Sequence, residues 1–562
     1  MDYLRAISSY GLGLWDQGSL SPVAALGISL GVLFHLTIAQ MEEIERFMYT
    51  LMGAIPLLML GIVSISMFLG SSLLGAFTRL CILATTFNAG LFSSMIIYRI
   101  FFHRLRRFPG PFDVKISLFF SVLRVAKEAK YHDDLANMHE QYGDFIRTGP
   151  RQLCIVRDSA IPIIYGPNAN CHKPIAYMGA SPDSKKASLH GSHDPDDHRK
   201  RHRAWDKGFS IKALQTYEPR IRTLVTKLVH QISRKDVIDA TAWSMYLTFD
   251  VMGEVGFGKD FGCVSDGITH PAIQGIRDHM HIIGVIGRVP WFLNIIGHIP
   301  GASKAYRPFF SYCQSEVDKK RASIDPEKYP QDIMTWLLKA VIEKDVSASP
   351  TEKSLSEDAR TLIVAGSETS ATVLANTLFY LAKYPHVLKK LQAQIDDVMP
   401  TPADWTYEKV KSITYLDNVI DETQRLKPAL LTGGYRRTPP EGVQIDEQFI
   451  PGDVSVIVPT QLIQTHPRYW KQSRDFIPER FGERSAEMGT KEAPYMPFSL
   501  GTYSCPGKNL AIMTLRIAIS SLAQHFDITF AAGETGEIFD REVKDTFTSY
   551  LKPLNLKFSP RK

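Results

Sequence analysis

One stretch near the C-terminus constrains this chain more than any other. It reads Phe498-Ser-Leu-Gly501-Thr-Tyr-Ser-Cys505-Pro-Gly507-Lys-Asn-Leu-Ala511, a cysteine between two glycines that runs straight into an apolar helical pattern. Gly501 and Gly507 carry no Cβ, so the loop can turn tightly and aim backbone N–H groups at the sulfur. Leu510, Met513, Leu515, Ile517, Ile519 and Leu522 predict a largely buried helix, which leaves Cys505 just ahead of its N-terminus. That end carries partial positive charge and lowers a thiol pKa, as a metal-binding thiolate requires. A buried structural cysteine in a glycine-containing loop is the alternative.

Composition narrows the function classes. The net charge of +6 is mild, and Lys and Arg are spread along the chain, so nucleic acid is not an expected partner. The cysteines (Cys81, Cys154, Cys171, Cys263, Cys313 and Cys505) form no CxxC pair and have no histidine at zinc spacing. They suit a reduced compartment without disulfides.

The N-terminal region reads as a membrane anchor. Residues 24–41 hold no charge, and residues 47–98 hold only Arg79. The second tract is too long for one crossing of about 30 Å of hydrocarbon, so it is expected to fold back near 71–79. Three spans follow, near 22–41, 49–70 and 80–101, within an anchor of residues 1–107. The apolar length argues against a cleaved signal peptide. Arg99, His103, Arg104, Arg106 and Arg107 come next and place the remainder, 108–562, on the cytosolic side. Met1 then lies across the membrane and the acidic loop 42–46 faces the cytosol. Pro109 and Pro111 end the last helix.

Beyond the anchor, helical periodicity dominates. Alternating stretches at 144–148 and 153–156 predict strands, 161–165 a short helix, and 445–458 a hairpin. The basic run from His198 to Phe209, if helical, sets His198 and His202 on one side. It is either a solvated face or a surface for an acidic partner. A long helix around Leu362 to Leu381 has a small, polar middle at Ala365, Gly366, Glu368 and Thr369. Thr369 either bonds the carbonyl one turn back or takes part in chemistry. Glu422 and Arg425, three apart, share a helix face, and Arg480 follows in Pro478-Glu-Arg-Phe481.

Taken in this order, the motifs resemble the cytochrome P-450 family, specifically membrane-anchored microsomal members of fungal type. The pattern Phe-x-x-Gly-x-x-x-Cys-x-Gly is matched at Phe498, Gly501, Cys505 and Gly507, and Ala/Gly-Gly-x-Asp/Glu-Thr at Ala365, Gly366, Glu368 and Thr369. The resemblance covers roughly 108–562. It implies a mainly α fold with minor β sheet and haem b whose iron is bound by Cys505.

The resemblance also assigns roles. Ala365 and Gly366 would let their helix bulge, with Glu368 and Thr369 delivering protons. Glu422, Arg425 and Arg480 would form a buried structural network. Arg436, with Arg437 second, and His202 would hold haem propionates. Two departures bear on this. His198 and His202 replace the usual Trp-x-x-x-Arg, and Tyr503 stands where Arg or His is common. Segments 280–301 and 547–551 fall where the family covers its substrate.

The implied activity is insertion of one atom of dioxygen into a lipophilic small molecule in secondary metabolism. The endoplasmic reticulum would house the enzyme, with the catalytic domain facing the cytosol. NADPH would supply electrons through a separate flavin reductase docked at Arg199, Lys200 and Arg201. The alternatives are a haem-thiolate isomerase or dehydratase without a reductase, and a non-enzymatic three-span membrane protein.

Overall fold

A computed structural model describes residues 20–40, 48–178, 183–299, 301 and 307–561. The chain is mainly helical with small sheets and divides into two compact units, Met1–Ser117 and Leu118–Lys562.

The first unit holds three helices long and apolar enough to cross a membrane: Ser21–Ala39, Thr50–Phe68 and Leu73–Phe102. The reversal between the second and third lies at 69–72, earlier than the expected 71–79, and the third helix starts at Leu73 instead of 80. Ser72 caps it by accepting from Gly75 N–H. Arg79 is therefore inside the helix, and its guanidinium reaches back to Ser71 Oγ at 2.9 Å. The first and third helices touch through small residues. A Cβ on Gly27 would lie 2.0 Å from Thr86 Oγ1, and one on Gly90 2.4 Å from the Ile28 carbonyl oxygen. The unit extends past 107 because Arg99 donates to the Ile116 carbonyl. Met1 and the loop 42–46 lie outside the described residues.

In the second unit, helices α1 (Pro195–Gly208), α2 (Ile211–Ser233), α3 (Ala240–Met252), α4 (Glu352–Lys383), α5 (Thr414–Leu426) and α6 (Lys508–His525) frame the site. Asp194 caps α1, accepting from Asp196 N–H, and Thr351 with Ser354 forms a capping box on α4. From Leu362 onward α4 is buried along nearly its whole length, against α3, α5 and α6. That packing explains why it lacks a polar face.

A four-stranded sheet combines β1 (Phe145–Gly149), β2 (Gln152–Ile155), β3 (Arg436–Arg437) and β4 (Ser455–Ile457) in the order β1-β2-β4-β3. The hairpin expected at 445–458 instead pairs Val443–Ile445 with Gln448–Ile450. Pro451 and the positive φ of Asp453 (55°) stop it, and β4 joins β2 in parallel. Near the C-terminus β5 (Lys544–Thr546) and β6 (Thr548–Tyr550) form a tight hairpin around Phe547, whose φ is 74°. Helices Pro271–Ile286 and Pro290–His298 occupy the segment 280–301.

Candidate active site

Cys505 is held by its own loop. Its N–H donates to the Phe498 carbonyl at 2.9 Å, closing the turn. Gly501 has φ +61°, and a Cβ there would stand 2.4 Å from the Gly166 carbonyl oxygen, so no other residue fits. Helix α6 begins at Lys508, as expected. The pKa expectation is reversed, however. Burial pushes the Cys505 thiol up, while the N–H groups of Gly507 and Lys508 and the Lys508 charge pull it down without prevailing. A cation bound at the sulfur would favour the thiolate.

Protein packs densely around Cys505 and His190, yet both are accessible, as is Ala365 on α4. A chain of contacts links the loop to α4. Lys173 Nζ lies 5.0 Å from the Tyr503 ring centroid and donates to the His190 carbonyl at 2.8 Å. The His190 ring meets Phe547 at 5.6 Å, and the next residue, Thr548, bonds Glu368.

On α4 the expected bulge is absent: the helix is continuous α from Glu352 to Lys383. Gly366 serves packing instead, since a Cβ there would stand 1.8 Å from the Met252 sulfur of α3. Thr369 Oγ1 donates to the Ala365 carbonyl one turn back at 2.5 Å. Glu368 turns the other way, because neighbours on a helix point about 100° apart. Its Oε2 accepts from Thr548 Oγ1 at 2.5 Å. Burial raises its pKa to about 7, with the Thr548 hydroxyl and the Arg277 charge opposing.

Behind the loop, Glu422, Arg425 and Arg480 are fully buried. Arg425 binds both Glu422 oxygens, at 2.7 and 2.9 Å, and Arg480 Nε binds Oε1 at 2.9 Å. The second arginine is satisfied by the carbonyls of Lys471 and Gln472. Arg425 also holds the Gln464 carbonyl, and Gln464 Oε1 accepts from Met496 N–H two residues before Phe498. The network thus anchors the start of the cysteine loop.

The opposite wall is cationic. Strand alternation turns Arg437 toward Asp453, at 2.9 Å, and Arg436 inward. Arg436 is buried, and its Nε has no hydrogen-bond partner. His198 Nδ1 is likewise buried and unpartnered, with its ring 4.7 Å from Tyr503. Unpartnered buried nitrogens grouped at Tyr503, two residues from an accessible cysteine, fit a flat iron-bearing group with acidic edges, which is what haem presents.

The cytochrome P-450 family model matches residues 109–558. The chain belongs to the cytochrome P-450 family. A P-450 monooxygenase of Eupenicillium brefeldianum is 36% identical over 474 residues, covering 84% of this chain and 94% of its own length. Another, from Fusarium pseudograminearum, is 31% identical over 538 residues, 95% of this chain and 96% of that one. Tryprostatin B 6-hydroxylase of Neosartorya fischeri is 31% identical over 465 residues, 81% of this chain and 82% of its own. This P-450 is accordingly a haem-thiolate monooxygenase that uses a redox partner, dioxygen and a small-molecule substrate.

Haem, when bound, supplies the iron at which dioxygen is reduced. The P-450 chain would hold it through the Cys505 sulfur and the cationic wall. Glu368, near neutrality in pKa, can take and return a proton at working pH. Thr369 donates its hydroxyl proton to the Ala365 carbonyl, which leaves its oxygen lone pairs free to accept a hydrogen bond.

The basic helix α1 divides by face. Arg201 turns inward to Asp358 of α4 at 2.9 Å and is not a surface charge, contrary to expectation. Lys200 and Arg203 are exposed, with no ion-pair partner among the described residues. His202 Nδ1 bonds Asp206 at 3.0 Å, and it is His198 that faces Tyr503. A surface recess of about 850 Å³ lined by Phe498, Leu500 and Lys508 has neither Cys505 nor Thr369 in its walls, so it is not the catalytic cavity of this P-450. Thr548 falls within the segment 547–551 but its bond to Glu368 was not anticipated, and neither was Lys173, because nothing local marks a lysine in an irregular loop.

Proposed function

We propose that this P-450 oxygenates a lipophilic small molecule of secondary metabolism, with electrons passed from NADPH by a separate flavin reductase. Residues 1–107 anchor it in the endoplasmic reticulum and 108–562 face the cytosol, a reading supported by the apolar helices and by the arginines and histidine at 99–107. Cys505 is the iron ligand, in the loop of Phe498, Gly501 and Gly507. Glu368 and Thr369 handle protons, while Arg436 and His202 serve the propionates. Glu422, Arg425 and Arg480 are structural. The name of the Neosartorya fischeri relative, a 6-hydroxylase of one compound, supports position-specific attack on a defined small molecule.

The reductase would dock over α1. Phe209, just after that helix, lies against Gly507, which puts Lys200 and Arg203 on the element beside the cysteine loop.

One observation carries the proposal: Cys505 is accessible at the end of a loop whose Tyr503 stands against Lys173, Arg436 and His198, the last two each with a buried, unpartnered nitrogen. The test is the reduced, carbon-monoxide-treated spectrum of wild type and Cys505→Ser in membranes, with mass spectrometry of products from candidate metabolites under labelled dioxygen. A thiolate band in wild type alone, with NADPH-dependent label incorporation, is expected. Product made without NADPH or label would overturn the monooxygenase reading in favour of an isomerase.

A further inference from the structure

Two buried cations stand side by side in the wall of the site without an anion. Arg436 is 4% exposed and Lys173 7%. A β-bridge sets them there: His172 and Arg437 exchange backbone hydrogen bonds at 3.0 and 2.6 Å, so the residues next to them, Lys173 and Arg436, emerge on the same side. Both cations lie over Tyr503, at 5.0 and 4.9 Å from its ring centroid.

Among the described residues no carboxylate pairs with either of them. Lys173 Nζ donates to the His190 carbonyl, while Arg436 donates from Nη1 to the Tyr435 carbonyl and also bonds the Tyr177 hydroxyl, none of these partners an anion. The Tyr503 hydroxyl is buried next to the Lys173 backbone N–H.

Such an arrangement is unfavourable as it stands. An isolated buried charge is strongly disfavoured, and an arginine cannot relieve the strain by losing its proton. Lysine can, and burial together with Arg436 holds the Lys173 ammonium well below its usual range. One carboxylate placed between them would neutralise Arg436, restore the lysine charge and fill the empty donor positions.

We propose that Lys173 binds a haem propionate together with Arg436, taking the place of the arginine that helix α1 does not provide. This rests on the P-450 reading and extends it to a residue outside all of the family motifs. His202, bonded to Asp206, then plays the lesser part, and Tyr503 acts as the aromatic floor beneath both cations.

The test uses full-length ferric holoenzyme in detergent and follows transfer of its haem to excess apomyoglobin, for wild type, Lys173→Met and Lys173→Arg. Loss of one charge-assisted contact should speed haem release by about ten-fold or more in the Met variant, with the Arg variant within a few-fold of wild type. Haem carrying ¹³C-labelled propionates provides a second readout: the infrared carboxylate bands should move in Lys173→Arg relative to wild type, which keeps the idea testable if the Met variant does not fold. Unchanged release in the Met variant, or unshifted bands in the Arg variant, overturns the assignment. A Met variant that keeps its haem but binds carboxylate-bearing compounds more weakly overturns it too, since Lys173 would then serve substrate. Absence of haem from wild type would instead sink the P-450 reading itself, so the two failures are distinct.

Discussion

Thr548 donates a 2.5 Å hydrogen bond to Glu368, joining residues 180 positions apart in the chain. The hydroxyl comes from the β5–β6 hairpin and the carboxyl from the middle of α4. The same hairpin offers its Ser549 carbonyl to Thr372, so it is fastened to α4 one turn further along as well. Donation to the carboxylate favours its charged form and pulls against burial. Thr548→Val keeps the shape and removes the donor. The Glu368 pKa should then rise above its present value of about 7. The alkaline limb of product formed per NADPH should move to higher pH, with a stability loss of about 1–3 kcal/mol. A pH profile that superimposes on wild type would show that Glu368 does not govern the step.

Glu368 also makes a stability prediction independent of turnover. Its folded pKa of about 7 stands above the ordinary 4.5. Below the lower value both folded and unfolded chains hold the proton, and the carboxyl's contribution is complete. Between the two values only the folded chain holds it, so stability falls as pH rises, by at most about 1.4 kcal/mol per pH unit. Glu368→Gln cannot titrate. Thermal unfolding should show wild type losing ground to the variant from acid to neutral pH, and parallel curves for the two proteins would remove the raised pKa from consideration.

The buried network predicts a sharper failure. Glu422 neutralises two arginines, and Ile477 N–H also donates to it at 2.8 Å. Glu422→Ala strands both guanidiniums away from water, which costs about 3–5 kcal/mol. Because Gln464 passes the constraint on to Met496, haem content should drop along with stability. A Glu422→Ala protein with wild-type haem content and melting temperature would refute the structural role.

The turn of the cysteine loop and the bond from Thr369 to Ala365 were legible in the sequence for one reason: each joins residues a few positions apart. The loop is closed by one hydrogen bond between Cys505 and Phe498, and its glycines act within the same turn. The Glu422 and Arg425 pair was visible as two residues on one helix face, although its burial was not. What escaped depends on distant pairing. Gly366 looked like a residue for a bulge because Met252, which fills its space, lies on another helix. Arg201 looked like a surface charge because its partner, Asp358, is 157 residues away. The start of the third membrane helix was misplaced since Arg79 reads as a loop residue until its reach to Ser71 is seen.

The two loop glycines, equivalent in the motif, differ in what they require. Gly501 combines φ +61° with backbone atoms of Gly166 and Tyr165 within 2.6 Å of any Cβ. Alanine there is strained twice, by conformation and by a neighbour that is main chain and cannot swing aside. At Gly507 the φ is −81° and the nearest atoms to a Cβ are Phe209 Cε1 at 3.6 Å and the Cys505 sulfur at 3.8 Å, which is ordinary contact. Gly501→Ala should therefore lose at least about 1–3 kcal/mol of stability and most of its haem. Gly507→Ala should fold and bind haem nearly as wild type does. Its effect should appear in the position of the reduced carbon monoxide band, because the added methyl sits against the Cys505 sulfur proposed to bind iron. Equal losses in both variants, measured by melting temperature and pigment per chain, would mean that contact with haem, rather than the geometry of the loop, sets the need for glycine.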